Sequence, residues 1–164
     1  MKPWAVMALL SMPKPSPEPI LDLVLRERAV TAGKPTAGLE TAQEQLAVFD
    51  GLSVPDQISL LKMTLAHLPA LPRMFDQLVQ AYAADDLKSI ADLAEEYQRG
   101  GDTGAVQRFT HRLNDERNRR MVARMTPYLE QGSSFIAVGA LHLAGPAGLL
   151  QLLRANGYTV TSIQ

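Results

Sequence analysis

Glu40 and His142, two residues of unlike chemistry, each close a short apolar segment and stand directly before a helix start. The glutamate ends residues 36–40 (Thr-Ala-Gly-Leu-Glu), and the histidine ends residues 135–142 (Phe-Ile-Ala-Val-Gly-Ala-Leu-His). In open α/β sheets, ligands bind beyond the carboxyl ends of the strands, so polar groups at two strand ends can meet in one crevice. The pattern predicts a shared site in which a carboxylate and an imidazole bind a metal ion or transfer protons.

Both residues also have a purely structural interpretation. Glu40 precedes Thr41, the predicted cap of a helix, and a carboxylate near a helix N-terminus is stabilised by the amide dipoles. An imidazole at position 142 would orient the turn that leads into the next helix. Gly139 removes a side chain from the segment before His142, which often marks a close approach of backbone or ligand. The residues alone leave these alternatives open.

Arg117 interrupts an apolar row along the long helix predicted for residues 105–130. The row recurs every fourth position, and its apolar members are Phe109, Leu113, Met121, Met125 and Leu129. A buried guanidinium is costly unless it is paired and hydrogen-bonded. Arg117 is therefore expected to point inward, either to a local carboxylate of Asp115 or Glu116, to a distant one such as Glu40, or to a substrate carbonyl or anion. Asn118 stands beside it.

The remaining basic residues are weaker candidates. His67 is predicted in the last turn of a helix, where a positive charge complements the dipole, and His111 lies off the apolar row. The other arginines are interpreted as a solvated face or a surface for an acidic partner: Arg108, Arg112, Arg119, Arg120 and Arg124. No P-loop, dinucleotide glycine fingerprint, His-Glu-x-x-His or Gly-x-Ser-x-Gly motif occurs.

Composition indicates a globular protein without a strong electrostatic preference. The 164 residues are 46% hydrophobic and 20% charged, with 16 basic and 17 acidic residues and no cysteine. This balance gives no electrostatic drive toward nucleic acid, and the absence of cysteine excludes thiolate metal ligands.

No apolar run approaches the roughly 18 residues that cross a bilayer. Residues 1–12 superficially resemble a signal peptide, but Pro3 and Trp4 favour a short amphipathic helix, and the compartment is not indicated.

The helices and strands predicted around these residues indicate a helix-rich α/β fold. Residues 1–19 are expected to form a helix and a proline-rich linker (13–19), and residues 20–164 a single α/β domain. Short strands are predicted at 36–39, 135–143 and 158–163, forming a small, mostly parallel sheet with a central helical insertion. Thr41 and Glu44 fit a capping box. A sheet this narrow has edges that another piece of protein must cover.

Several segments together resemble the TraB/GumN family, which includes the TIKI metalloproteases and bacterial proteins. They are Lys2-Pro-Trp4, Gly38-Leu-Glu-Thr41, Gln45, Glu116-Arg-Asn118 and Val138-Gly-Ala-Leu-His-Leu-Ala-Gly145, and the match continues through residues 148–160. The resemblance spans nearly the whole chain and corresponds to the C-terminal portion of the family. It makes a periplasmic or extracytoplasmic location an expectation.

The resemblance implies a metal-dependent hydrolase site that acts on peptides. Carried over by position, Glu40, Arg117 and His142 are the catalytic candidates, and Gly139 opens a Gly-x-x-His motif. His142 and Glu40 would bind a divalent metal of unassigned identity. The family's N-terminal half and its first Gly-x-x-His motif have no counterpart here, and neither His67 nor His111 has a glycine three residues before it.

Counting ligands limits this expectation. A catalytic metal typically needs three protein ligands and an open position, whereas Glu40 and His142 supply two. Either a complementing N-terminal half or a second copy of the chain completes the site, or the chain is a non-catalytic interaction or regulatory module that retains the family scaffold.

Overall fold

The computed structural model describes residues 1–13 and 17–163 and is built from helices. The middle of the predicted proline-rich linker, residues 14–16, lies outside the described residues. The α-helices are Pro3–Ser11 (α1), Leu21–Thr31 (α2), Ala42–Asp50 (α3), Val54–His67 (α4), Leu71–Ala83 (α5), Leu87–Gln98 (α6), Thr103–Thr110 (α7), Glu116–Gln131 (α8) and Leu149–Ala155 (α9). Short 3₁₀ turns at Leu68–Ala70 and Ala140–His142 and a π-helical turn at His111–Asp115 connect some of them.

The predicted α/β fold is wrong, because residues 1–13 and 17–163 contain no strand and no sheet. Within these residues, segments 36–39, 135–138 and 159–163 make no backbone-to-backbone hydrogen bond. The near-continuous apolar run that predicts a strand at 135–143 is used differently here. Ile136 and Val138 pack against the helical core, whereas Phe135 is 81% exposed. One-sided packing on helices therefore accounts for the pattern without any strand pairing.

The N-terminal helix is part of a helical core. Met7 of α1 is buried in a cluster with Leu52, Leu60, Met63 and Val106. Trp4 stacks on Phe49 with ring centroids 5.6 Å apart, and its indole nitrogen donates a hydrogen bond to Asp50. Burial of this apolar surface fixes α1 against α4 and brings α7 alongside.

The long helix predicted for residues 105–130 is present as a helical run with an interruption. Between α7 and α8, the π-helical turn His111–Asp115 replaces the usual spacing, and the Glu116 amide donates to the His111 carbonyl five residues earlier. A π turn places an extra residue in the helix and rotates the side chains that follow; such turns often lie at functional sites. Arg117 and Asn118 come immediately after it.

The second core cluster supports the C-terminal half of the long helix. Met121, Val122 and Met125 of α8 are buried together with Leu149 of α9. The approach to α9 requires glycine at 148, because a Cβ there would lie 2.2 Å from the Ala144 carbonyl oxygen.

In the described part of the chain, no helix combines the length and the apolar character needed to cross a membrane.

Replacing Leu149 with alanine should destabilise this cluster strongly. The residue is 2% exposed, and a buried Leu→Ala change costs about 2–5 kcal/mol of the free energy of unfolding. Leu46→Ala is the matched control, since Leu46 is 53% exposed and its loss should cost under about 0.5 kcal/mol. Urea unfolding of both variants checks the prediction, and equal losses would contradict the described packing.

Candidate functional site

Glu40 and Arg117, 77 residues apart in the chain, form a nearly buried ion pair. Arg117 Nε lies 3.0 Å from both carboxylate oxygens, and the terminal nitrogen Nη2 donates to Oε2 at 2.8 Å. The Glu40 side chain is 2% exposed and that of Arg117 is 13% exposed. Planar, charge-assisted pairing of this kind fixes the relative orientation of the two groups. The structure thus selects Glu40 among the partners considered for Arg117.

Glu40 is positioned by the start of α3. Thr41 and Glu44 form the predicted capping box: the Thr41 hydroxyl accepts from the Glu44 amide, and the Glu44 carboxylate accepts from the Thr41 amide. Arg124 of α8 donates to the Leu39 carbonyl at 2.7 Å and to both oxygens of Glu44. These bonds anchor the residues on both sides of Glu40 to α8, and the capping-box prediction is confirmed.

Arg117 is held from its own helix as well. Its other terminal nitrogen, Nη1, donates to the Leu113 carbonyl, within the π-helical turn, at 3.0 Å. The π turn therefore supplies both the rotation of the side chain and one of its acceptors. One N–H on each terminal nitrogen has no hydrogen bond among the described residues. These two N–H groups are available to another acceptor.

His142 is buried and bonded to Asn118, the neighbour of Arg117. Its Nδ1 lies 2.7 Å from Asn118 Oδ1, and Asn118 Nδ2 donates to the Ala147 carbonyl at 2.8 Å. The Ala147 carbonyl can only accept, so the amide nitrogen of Asn118 faces it and the amide oxygen faces the imidazole. His142 Nδ1 must then carry the proton and donate, which leaves the lone pair on Nε2.

Burial and charge together set the ionisation of these groups. Burial, followed by the positive charge of Arg117, lowers the pKa of His142, and the smaller opposite effect of the Glu40 carboxylate does not reverse this. Burial alone would raise the pKa of Glu40, but the hydrogen bonds and charge of Arg117, with smaller contributions from Arg120 and His142, lower it. At neutral pH the imidazole is therefore neutral and the carboxylate ionised. These mutual effects place Glu40, Arg117 and His142 in one electrostatic environment.

The remaining sequence candidates fall outside this network or have a minor place in it. The Gly139 carbonyl accepts from the His142 amide at 2.9 Å, and a Cβ at position 139 would lie 3.7 Å from the imidazole, an ordinary contact. His67 Nδ1 lies 2.8 Å from the Met63 carbonyl oxygen in the last turn of α4. His111 lies beside Asp115 at 3.1 Å. Neither of the two latter histidines hydrogen-bonds to Glu40, Arg117 or His142.

The donor set of the site is small for a metal centre. Across residues 1–13 and 17–163, no three histidine, cysteine, aspartate or glutamate side chains are grouped so that they could hold a metal ion. His142 Nε2 fits the donor chemistry of a metal ligand because its other nitrogen is fixed by Asn118. Glu40 Oε1 is the less engaged carboxylate oxygen, since it receives one bond from Arg117 whereas Oε2 receives two.

Two arginines that sequence reasoning assigned to a solvated face belong to the site's surroundings. Arg124 binds Glu44 and the Leu39 carbonyl, and Arg120 lies 3.6 Å from Glu40 Oε1. Their positions, three and seven residues after Arg117, put all three on one face of α8. That spacing was the available signal.

Comparison with known proteins confirms the family resemblance seen in the sequence. The TraB/PrgY/gumN family profile matches residues 1–162. The chain belongs to the TraB/PrgY/gumN family. Similar proteins include Metalloprotease TIKI2 of Danio rerio (28% identity, covering 87% of this chain and 32% of the relative). Metalloprotease TIKI1 of Xenopus tropicalis is 30% identical over 87% of this chain and 32% of its own length. The human TIKI1 metalloprotease is 28% identical over 87% of this chain and 33% of its own length.

This TraB/PrgY/gumN chain spans about a third of the length of the curated relatives it matches. No solved structure matches it. Family membership therefore rests on sequence, and the contacts of Glu40, Arg117 and His142 described above add the geometry of this chain.

Replacing Arg117 with methionine should destabilise this TraB/PrgY/gumN protein by about 3–5 kcal/mol, because the buried Glu40 carboxylate loses its partner. Arg119→Met is the control, since Arg119 is exposed on the same helix. Adding Glu40→Gln to Arg117→Met removes the stranded charge and should recover part of the loss. Urea unfolding measures all three; equal stabilities of Arg117→Met and Arg119→Met would contradict the buried pair.

The lowered pKa of His142 predicts a pH dependence of stability in the metal-free protein. Because the folded pKa lies below the ordinary value of 6.5, the unfolded chain binds the proton more readily. The contribution is fully present above pH 6.5 and is lost as the pH falls through the folded pKa. His142→Gln should therefore lose less of its free energy of unfolding than the wild type between pH 7 and about pH 5. Urea unfolding with EDTA tests this, and parallel profiles would contradict it.

Proposed function

We propose that this chain carries part of a metal-dependent hydrolase site that acts on peptides. The observation that carries the proposal is the buried Ala147–Asn118–His142 hydrogen-bond chain, which fixes the imidazole with its Nε2 lone pair available. Metal-binding histidines are commonly oriented by such a bond from the other ring nitrogen. The metalloprotease names of the similar TIKI proteins support the reaction class.

In this proposal His142 is the first metal ligand and Glu40 the second. His142 is neutral, as a ligand must be, and Glu40 remains ionised beside Arg117. Glu40 Oε1 has room for a further interaction because Arg117 binds mainly through Oε2. Its lowered pKa makes Glu40 a weak base, so holding charge at the site suits it better than proton abstraction. Gly139 and Asn118 support the imidazole through the backbone and the side chain.

Arg117 is proposed to stabilise negative charge that develops on the substrate. Its hydrogen bonds to Glu40 and Leu113 hold the guanidinium in place, and two N–H groups are left for a carbonyl oxygen. Fixed donors of this kind act without reorganising during the reaction. A bound divalent metal would polarise the peptide carbonyl or lower the pKa of a water molecule.

Further ligands are proposed to come from another polypeptide segment. His142 and Glu40 are two ligands, one fewer than a catalytic metal typically needs. The relatives are about three times longer than the part that this chain matches, which supports a complementing segment as the source. A second copy of the chain is the other source, and the peptide substrate would bind where the two parts meet.

A non-catalytic interaction or regulatory module is the second candidate function. The surroundings of Glu40 favour this alternative, because the charges of Arg117 and Arg120 already balance its carboxylate without a metal ion. Among the described residues no group of three metal-binding side chains occurs. In this alternative the ion pair and the Asn118–His142 bond serve only to join α8 to the segments around it.

Calorimetric titration with cobalt, zinc or manganese separates the two candidates. We expect weak binding by the wild type, and His142→Ala should abolish it because a ligand is lost. Glu40→Gln should weaken binding while leaving it detectable. His67→Ala is the matched control, since His67 is half-buried in α4 and bonded to its own helix.

Equal metal binding by wild type, His142→Ala and His67→Ala would remove His142 as a ligand and favour the interaction module. For the cobalt complex, a ligand-field spectrum that is lost only in His142→Ala would support the proposed site. Peptide cleavage that appears when the missing part of a longer relative is added, and that EDTA abolishes, would support the hydrolase.

A further inference from the structure

Three arginines on one face of α8 meet two glutamates, and only two of the three arginines are satisfied. Arg117 takes three hydrogen bonds to Glu40, and Arg124 takes two to Glu44. Three guanidinium groups against two carboxylates give this group of side chains a net charge of +1. The surplus positive charge belongs to Arg120.

Arg120 is held at the site without a hydrogen bond. Its one ion pair among the described residues is to Glu40 Oε1 at 3.6 Å, longer than a hydrogen bond. The Nε atom is shielded from solvent and has no hydrogen-bond partner in the described part of the chain. The side chain as a whole is 38% exposed.

Glu40 does not satisfy Arg120, because its Oε1 lies 3.6 Å from the nearest guanidinium nitrogen, beyond hydrogen-bond distance. The two terminal nitrogens of Arg120, which are not shielded as Nε is, therefore keep their donors available beside the proposed catalytic residues. Such a fork matches a carboxylate by two parallel bonds. An approaching carboxylate would also neutralise the surplus charge.

We propose that Arg120 binds a carboxylate of the peptide substrate and so sets which peptides this site accepts. The inference rests on the proposed function. Arg117, one turn earlier on α8, would contact the carbonyl to be cleaved, and Arg120 would anchor an acidic group nearby. The carboxylate belongs either to the C-terminus of the peptide or to an acidic side chain.

Two pairs of peptides distinguish these sources in an NMR titration of the ¹⁵N-labelled chain at low ionic strength. The first pair is acetyl-Ala-Ala-Ala and its C-terminal amide. The second is the amidated acetyl-Ala-Glu-Ala and acetyl-Ala-Gln-Ala. A free acid that binds about tenfold more tightly than its amide identifies a C-terminal carboxylate, and a preference of that size for glutamate over glutamine identifies a side chain.

Arg120→Met should abolish whichever preference is found, and Arg119→Met should leave it intact. Arg120→Lys keeps the charge and loses the fork, so we expect it to retain only part of the preference. The same result for Arg120→Met and Arg119→Met, or no preference in either peptide pair, overturns the proposal. Thermal unfolding of each variant verifies that it is folded.

The metal titration of wild type and His142→Ala is an independent readout. Loss of the carboxylate preference in Arg120→Met, together with metal binding that does not depend on His142, would uphold carboxylate binding and reject the hydrolase site. Metal binding that depends on His142 without any carboxylate preference would uphold the proposed function and reject the role of Arg120.

Discussion

The buried ion pair between Glu40 and Arg117 is the interaction on which the site depends. Removing two charged groups from water costs on the order of several kcal/mol per ion. The pair must therefore be well aligned and further hydrogen-bonded. The structure meets both conditions, with three bonds between the partners and a fourth from Arg117 to the Leu113 carbonyl. The pair thereby ties the start of α3 to α8.

Two neighbouring residues that follow the π-helical turn bind three partners from other segments of the chain. Arg117 reaches Glu40, and Asn118 reaches His142 and the Ala147 carbonyl. Successive residues on a helix diverge by about 100°. The guanidinium of Arg117 and the amide of Asn118 therefore point in different directions and contact different segments. The carboxylate and the imidazole are thus joined through α8, and the charge of each affects the pKa of the other.

The α/β fold predicted from the sequence is wrong because strand pairing is a long-range property. Segment 135–138 is a continuous apolar run, as in a strand that is buried on both faces. Ile136 and Val138 instead pack on α8 and α9, and no backbone partner lies beside them among the described residues. The helices were more predictable, because caps such as Thr41 and a repeat of four residues act within one or two turns.

By itself, the sequence determined the local features and the family. The Thr41–Glu44 cap, the long helix with a charged residue in its apolar row and the residues shared with TraB/PrgY/gumN proteins can all be read from it. Only the tertiary structure decided that Glu40, and not Asp115 or Glu116, receives Arg117, and that the lone pair of His142 lies on Nε2. Both depend on packing between distant segments, which local residue spacing does not specify, and the π turn contributes one acceptor for Arg117.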